Sequence, residues 1–405
     1  MSTAFQRLWA AQAISAFGAR ITREGLPIMA VITLGAQAST LGPLAAVASG
    51  AALLAAMAGG PFVDRARRRP VLIWADLLRA ALLASIPLAA VLGALDLPQV
   101  FAVVALTGAI SAIFEMASHA YLPTLVERGG LVAANSRLAA TDATAEVGGP
   151  ALAGLLFQWL SAPIAVAVNS ATYVASALWL ATIRAPEPGP VKGLREHWVR
   201  EFTAGLRIAW TDRRVRPLLA MASAQGLFGG VFSALYVLFA IRTLGLSPSM
   251  LGLAIAAGGA GALAGAALAP RLARRLGHGP AILTAMTGAG LAVLITPFAP
   301  ASPTAGLATL VVSQLVGDAL AVAGAVLAAS LRQALVPQAA LGRVSGAFLA
   351  GPGAMAVVGA LGGGALGAAI GPRAALLIAA LGFVVLPLIG ALSPLRDLRE
   401  IDAVD

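Results

Sequence analysis

Cysteine is absent from this 405-residue sequence, lysine occurs once and histidine only three times. Without cysteine, disulfide bridges and thiolate metal sites are excluded. Because the three histidines lie far apart in sequence, a metal site is not expected, and no cofactor is predicted. Charged residues make up only 11% of the chain, whereas about a quarter is usual in soluble domains. That scarcity argues against a soluble globular protein.

Long apolar runs take the place of charge. Apolar residues form 59% of the chain, and the mean hydropathy is +0.90. Runs such as Val71 to Leu95 approach the ~20 residues that cross about 30 Å of hydrocarbon. Such runs predict an all-α membrane protein with twelve transmembrane helices in two six-helix pseudo-repeats. The predicted bundles are residues 1–184 and 215–405, and a cytoplasmic linker with an amphipathic helix, residues 185–214, joins them.

The net charge of +10 comes almost entirely from arginine. The arginines stand in short clusters between apolar runs, without interleaved aromatic residues that would stack on bases, so nucleic acid is not an expected partner. Cytoplasmic loops of membrane proteins retain basic residues. If the N-terminus lies inside, only Arg242 and Arg373 face outward. Both termini are therefore predicted to be cytoplasmic.

The two halves of the chain resemble copies of one another. Pro70 matches Pro280 at an offset of 210 residues, and Pro123 matches Pro337 at an offset of 214. Parallel repeats of this kind build secondary transporters, which rock around a central site at the middle of the membrane. The pattern therefore favours a transporter whose substrate cavity lies between two halves.

A short motif between the second and third spans points to a family. Gly60 is followed by Asp64 and Arg65 and then by Arg68 and Arg69. This order resembles the signature of the major facilitator superfamily, although Arg67 stands where that family usually has glycine. The alternative interpretation is an ordinary cluster of cytoplasmic basic residues.

The resemblance also implies a role for this motif. In that family the loop aspartate latches the two halves by facing the start of the eleventh span, which here begins at Gly342 and Arg343. A carboxylate near a helix N-terminus is stabilised by the unsatisfied amides there. Asp64 is thus the expected conformational latch, together with the surrounding basic residues.

A second motif lies on the fifth span. Gly149, Pro150 and Gly154 resemble a signature of the exporter branches of the superfamily. Close helix packing through small residues is the alternative meaning. Further segments, among them Tyr121-Leu122-Pro123, resemble the bacterial macrolide-efflux and enterobactin-exporter branch. This resemblance implies a monomeric, multi-pass protein of the bacterial cytoplasmic (inner) membrane.

Charges inside the predicted spans are the candidate working site, because each one is costly in a bilayer unless it pairs or faces water. On the first span, Arg20 and Glu24 are spaced to form a pair, which leaves Arg23 surplus. A self-neutralising Arg20–Glu24 pair without further function is the alternative. The predicted substrate and proton-coupling residues are Arg20, Arg23, Glu24, Glu115, His119, Asp142, Glu146 and Asp318.

The acids of the fourth and fifth spans suit proton transfer. Glu115 and His119 are one turn apart, as are Asp142 and Glu146. Neighbouring carboxylates in a low dielectric take up protons more readily than isolated ones. As an alternative, Asp142 pairs with Arg137 at the cytoplasmic interface.

Other charged residues are expected to be structural or solvated. Asp76 and Arg79 lie near the start of the third span and are expected to support the cytoplasmic loops, whereas the acids Glu187 and Glu196 are expected to be solvated. No phosphate-binding motif of an ATPase occurs.

The sequence thus predicts a non-enzymatic exporter that exchanges protons for a small organic molecule by alternating access. An uptake symporter, or a sensor or scaffold that does not transport, remains the alternative.

Overall fold

The protein is described by a computed structural model that covers residues 2–185, 187 and 198–398. Every regular element in this part of the chain is helical. The α-helices of the first half are α1 (Thr3–Ile32), α2 (Ala38–Arg65), α3 (Arg68–Val91), α4 (Leu97–Leu125), α5 (Leu131–Trp159) and α6 (Ala162–Ala181). Those that follow are α7 (Trp198–Thr211), α8 (Val215–Leu238), α9 (Pro248–Leu276), α10 (His278–Leu294), α11 (Pro303–Leu335), α12 (Gln338–Ile370), α13 (Pro372–Val385) and α14 (Pro387–Ala391).

Ten helical segments in the described ranges are long and apolar enough to cross a membrane. The tenth runs from Pro372 to Ala391 and joins α13 to α14, which begins at Pro387. Two further helices, α1 and α5, are equally long but carry charged residues in their interiors, among them Arg20, Arg23 and Glu24 of α1 and Asp142 and Glu146 of α5. The short α7 is amphipathic, and residues 186 and 188–197, which precede it in the predicted linker, lie outside the described residues.

The helix order repeats along the chain. α2 begins at Ala38 and α9 at Pro248, α3 begins at Arg68 and α10 at His278, and the two starts differ by 210 residues in each case. This is the offset at which Pro70 and Pro280 match. The same succession of helices therefore occurs twice.

Contacts divide the chain into two compact units. The N-terminal unit comprises Met1–Ala36 and Val47–Arg195, and the C-terminal unit comprises Gln37–Ala46 and Glu196–Asp405. The first turns of α2 thus pack with the C-terminal unit, where Gly42 lies against Gly364 of α12. The amphipathic α7 also belongs to this unit, since Ala209 packs against Val344 in one of its apolar clusters.

The N-terminal unit has an apolar core at the start of α1. Phe5 and Leu8 pack there against Leu72 of α3, Tyr121 of α4 and Leu180 of α6. All five side chains are buried. This core fixes α1 among its neighbours and thereby sets where its charged second half lies.

In the C-terminal unit, α12 packs against α8 through glycine. A methyl group placed on Gly359 would lie 1.8 Å from the carbonyl oxygen of Leu227, and one on Gly363 would lie 2.8 Å from the Cα atom of Val231. These glycines therefore let two backbones approach closely. Gly371 ends α12 with a φ of 86°.

Candidate functional site

Two helices that carry candidate charges, α1 and α5, pack against each other inside the N-terminal unit. Their contact depends on glycines of both helices. A methyl group on Gly25 of α1 would lie 2.4 Å from the ring of Phe157, and one on Gly149 of α5 would lie 2.5 Å from the Cβ atom of Arg20. The motif glycine Gly149 thus provides the space that the Arg20 side chain occupies.

Ion pairs connect these two helices. One carboxylate oxygen of Glu146 on α5 forms an ion pair with the guanidinium of Arg20. The other oxygen lies 3.3 Å from the guanidinium of Arg23. The guanidinium of Arg23 also reaches Glu24, with an Nε to Oε1 distance of 2.8 Å. Four charged groups therefore form one network, and its two positive charges are balanced by two carboxylates.

This network corrects the pairing predicted from helical spacing. Arg20 and Glu24 lie one turn apart, but the direct partner of Arg20 is Glu146, and Glu24 pairs with its neighbour Arg23. The reason is that the Glu146 carboxylate of α5 reaches both arginines of α1. Arg23 is therefore not a surplus charge.

A second group of charges adjoins this network. The electrostatic environment of Asp142 is shaped by Glu115 and His119 on α4 and by Arg20 and Glu146. Arg137 is not among the groups that act on it, and Asp142 lies eleven residues inside α5, about 16 Å along the helix axis. The alternative of an interfacial Asp142–Arg137 pair is therefore not observed.

We call these residues the charge cluster. It consists of Arg20, Arg23, Glu24, Glu115, His119, Asp142 and Glu146. Two of its acids are neutralised by arginines, whereas the described ion pairs include neither Glu115 nor Asp142. Both of these side chains are exposed on the N-terminal unit. With histidine neutral, the cluster thus carries two carboxylates beyond its arginines.

Asp318 lies on α11 of the C-terminal unit. A methyl group on Gly258 of α9 would lie 2.2 Å from its Oδ2 atom, so the carboxylate packs directly on a glycine of the facing helix. Within the helices from α8 to α13 it is the one acidic residue.

The sequence did not indicate how deeply the Asp76–Arg79 pair of α3 is buried. Asp76 and Arg79 of α3 form an ion pair, and their side chains are 0% and 2% exposed. The Arg79 guanidinium donates to Ser111 at 3.2 Å and lies 4.4 Å from the Phe114 ring centroid and 4.3 Å from that of Tyr173. The pair was expected to support the cytoplasmic loops, yet it is buried among the helices of the N-terminal unit. The uncommon combination of both charges one turn apart in an apolar span was the available signal.

The signature motif forms the short connection between α2 and α3, which we call the α2–α3 junction. Gly60, Asp64 and Arg65 are part of α2, so only Ala66 and Arg67 separate the two helices. The Asp64 side chain lies outside the described residues, and its predicted latch role stays a prediction. On the C-terminal unit, Arg343 occupies the second turn of α12, where its backbone oxygen packs on Gly205 of α7.

Two residues of this junction are engaged inside the N-terminal unit. Arg69 donates from Nε to the carbonyl oxygen of Leu180 at 3.2 Å and from Nη2 to that of Ala181 at 2.6 Å. The backbone amides of Arg68 and Arg69 donate to the carboxylate of Glu187. Glu187 is thus not the solvated loop acid that was expected, because it caps the start of α3.

These features define a class of protein, namely a multi-pass helical membrane transporter with two structurally repeated halves. The sequence profile described as "Major Facilitator Superfamily" matches residues 8–349. The chain belongs to the major facilitator superfamily, as its motifs predicted.

Characterised relatives and solved structures agree with this membership. The multidrug efflux pump Tap of Mycolicibacterium fortuitum is 28% identical over 365 residues, which cover 86% of this chain and 85% of that protein. The pump of the same name from Mycobacterium tuberculosis is 31% identical over 373 residues, with coverages of 86% and 83%.

Two solved structures share the fold at low sequence identity. A bacterial homologue of the iron transporter ferroportin superposes with a TM-score of 0.72 at 17% identity, over 96% of this chain and 100% of that one. The nucleoside transporter NupG superposes with a TM-score of 0.75 at 13% identity, over 96% and 99%. The relatives and fold neighbours are thus transporters, and the relatives matched by sequence are efflux pumps.

Proposed function

We propose that the protein is a proton-coupled exporter of small organic molecules that works by alternating access in the bacterial cytoplasmic membrane. The observation that supports this proposal is the charge cluster, with its two acids outside the ion-pair network. The efflux pumps among the relatives favour export over uptake.

Glu115 and Asp142 are the proposed proton carriers. A charged group on a membrane-spanning helix is costly unless it pairs or faces water. Since both side chains are exposed on the unit and outside the described ion pairs, we place them on a water-filled path. Two carboxylates acting on one another favour uptake of a proton, because like charges destabilise the doubly ionised state. A cationic substrate would compete with that proton.

Arg20, Arg23, Glu24 and Glu146 have a different proposed role. Their ion pairs neutralise one another and tie α1 to α5. Binding of a substrate or proton at Glu115 or Asp142 would act on this network through Glu146 and Arg20, which share the electrostatic environment of Asp142. The network thus links occupancy of the site to the packing of two helices. His119 tunes the charge of the same cluster, and Asp318 contributes separately from α11.

Transport into everted membrane vesicles tests this proposal. The probe is ethidium, a cationic dye, and the driving force is an imposed pH gradient, acidic inside the vesicles. We expect wild-type protein to accumulate the dye. Glu115→Gln and Asp142→Asn should reduce gradient-driven accumulation at least tenfold while gradient-free exchange of the dye persists. Glu127→Gln, which changes an exposed acid outside the cluster, should match the wild type.

Other outcomes separate the rival functions. Full accumulation in both cluster variants would refute coupling at Glu115 and Asp142, and Asp318→Asn would be measured next. Proton and dye moving in the same direction would identify an uptake symporter. A membrane sensor or scaffold would move no dye in stoichiometric amounts, whatever the gradient.

We further propose twelve membrane crossings and two cytoplasmic termini. The ten apolar segments support most of these crossings, and α1 and α5 complete them, because Arg20, Arg23, Glu24 and Glu146 pair within the N-terminal unit. Since the chain has no cysteine, single cysteines can be introduced and labelled without background. Labelling from outside at Gln37 but not at Arg67 is expected, and the reverse would overturn the orientation.

Asp64 is the proposed conformational latch. Its support is the place of Asp64 in the signature motif at the end of α2. A latch worth up to about 1 kcal/mol biases two conformers without locking either. Asp64→Asn should therefore slow ethidium accumulation severalfold with normal membrane insertion. Wild-type rates in a well-inserted Asp64→Asn protein would remove this role.

A further inference from the structure

A small cavity lies in the C-terminal unit. Its volume is about 120 Å³, and residues of α8, α10, α11 and α12 line it. Such a volume is below the ~300 Å³ at which pockets for drug-sized ligands begin. It suits a small head group or a short chain rather than a transported drug.

One cation faces this cavity. Arg332 of α11 lies in its wall and stacks on Phe348, with the guanidinium carbon 4.4 Å from the ring centroid. The Nε atom of Arg332 is buried and has no hydrogen-bond partner. None of the residues that line the cavity is acidic, and no described ion pair includes Arg332.

The remaining wall is amphiphilic. Gln225 of α8 supplies an amide that makes no hydrogen bond to another described residue. Beside it the wall is apolar and includes Met221, Ile282 and Met286. Methionine adapts easily to ligands of different shape. A guanidinium, an amide and an adaptable apolar wall together match an anionic group attached to a short hydrocarbon chain.

The position of the cavity along the helices agrees with such a ligand. Arg332 lies three residues before the end of α11, and Gln225 lies ten residues after the start of α8. At 1.5 Å per residue these are depths of about 5 and 15 Å from the helix ends. The anionic group of the ligand would thus be bound close to the membrane surface, with its hydrocarbon chain directed towards the membrane interior.

We propose that this cavity binds the anionic group of a small amphiphile, a carboxylate or a phosphate, at Arg332. A planar guanidinium binds both anions with paired hydrogen bonds. The anion would also satisfy a cation that is costly to leave unpaired within a helix bundle. The source of the anion is either a soluble short-chain acid or the head group of an anionic lipid.

Octanoate binding to the full chain tests the proposal. Radiolabelled octanoate is dialysed against protein in phosphatidylcholine nanodiscs, and binding to empty nanodiscs is subtracted. We expect one saturable site in the wild type. Arg332→Gln should weaken it about 10- to 100-fold, because hydrogen bonds to charged groups contribute about 1.5–3 kcal/mol. Arg275→Gln, which removes an exposed cation from the last turn of α9, should bind as the wild type does.

A second variant keeps the test valid if Arg332→Gln does not fold. Ala328→Leu fills the cavity and leaves the arginine intact, so it should also weaken binding at least tenfold. Phosphatidylglycerol added to the nanodiscs distinguishes the two sources: competition with octanoate identifies a lipid head group, and no competition identifies a soluble acid. The proposal is overturned if the wild type has no saturable site, or if a folded Arg332→Gln or Ala328→Leu protein binds octanoate as the wild type does.

Discussion

The N-terminal and C-terminal units use glycine in different ways. In the N-terminal unit, methyl groups on Gly18, Gly25 and Gly149 would meet the side chains of Thr172, Phe157 and Arg20. In the C-terminal unit, methyl groups on Gly261, Gly265 and Gly359 would meet the backbone carbonyl oxygens of Leu315, Ala319 and Leu227. At these positions glycine makes room for side chains in the N-terminal unit and for a second backbone in the C-terminal unit, although Gly258 and Gly382 of the C-terminal unit also face side chains, those of Asp318 and Phe228.

The distribution of charge follows the same division. The helices from α1 to α6 contain Glu24, Asp64, Asp76, Glu115, Asp142 and Glu146, whereas those from α8 to α13 contain one acid, Asp318. Bulky charged side chains need the space that glycines provide in the first unit. Around Gly261, Gly265 and Gly359 of the second unit, neighbouring backbones occupy that space. Most acids of the described long helices thus lie in the N-terminal unit, and the closest backbone contacts at glycine lie in the C-terminal unit.

The largest expected effect comes from the buried ion pair of the N-terminal unit. Asp76→Asn removes the charge that neutralises Arg79, whose side chain is 2% exposed. Breaking a buried pair on one side costs about 3–5 kcal/mol, because the remaining charge stays uncompensated. Thermal unfolding of the detergent-solubilised protein should show a loss of this size.

An exposed ion pair of the same unit is the control for Asp76→Asn. Glu24→Gln removes a partner of Arg23, whose side chain is 56% exposed, so the loss should be at most about 1 kcal/mol. Equal unfolding temperatures for Asp76→Asn and Glu24→Gln would show that burial of the Asp76–Arg79 pair does not stabilise the unit.

A single methyl group should be enough to disturb the C-terminal unit. Gly359→Ala would place that methyl group 1.8 Å from the carbonyl oxygen of Leu227, so α12 must move away from α8. Overpacking of this kind costs about 1–3 kcal/mol. Thermal unfolding again gives the measurement.

The same helix provides a matched control for Gly359→Ala. Gly362 lies three residues further on and has nothing within 4 Å of an added methyl group. Gly362→Ala should be neutral or slightly stabilising, because alanine favours helix more than glycine does. If Gly359→Ala is equally well tolerated, close backbone packing does not hold these helices together.

Much of this architecture was predictable because hydrophobic runs determine where helices lie in a membrane. The repeat offset, the amphipathic α7 and the positions of the candidate charges followed from one-dimensional patterns. Their partners did not, because Glu146 lies 123 residues from Arg23 in sequence. Helical spacing alone favoured Arg20 with Glu24, and only the packing of α1 on α5 determines the true pair. The burial of Asp76 likewise depends on the rotation of α3 among three neighbours.

The smallest expected effect concerns the Glu187 cap on α3. Glu187→Ala removes the carboxylate that accepts hydrogen bonds from the backbone amides of Arg68 and Arg69. Loss of a helix cap costs about 1 kcal/mol, to which the interaction of the carboxylate with the helix dipole contributes. If exchange follows local opening, a loss of 1.4 kcal/mol speeds it about tenfold, and a loss of about 1 kcal/mol speeds it roughly fivefold. Hydrogen exchange measured by mass spectrometry should therefore be roughly fivefold faster at these two amides.

Glu127→Ala is the matched control for this cap, because Glu127 is an exposed acid at the end of α4 whose side chain accepts no described hydrogen bond. Its removal should leave exchange at the start of α3 unchanged.

The cap joins the beginning of the linker to the signature motif, so opening it should loosen the α2–α3 junction without affecting the charge cluster. Gradient-driven ethidium accumulation in Glu187→Ala should therefore stay within about twofold of the wild type, which corresponds to about 0.4 kcal/mol. A loss as large as that of Asp142→Asn would place Glu187 in the transport cycle itself, and unchanged exchange at Arg68 and Arg69 would show that the carboxylate does not cap α3.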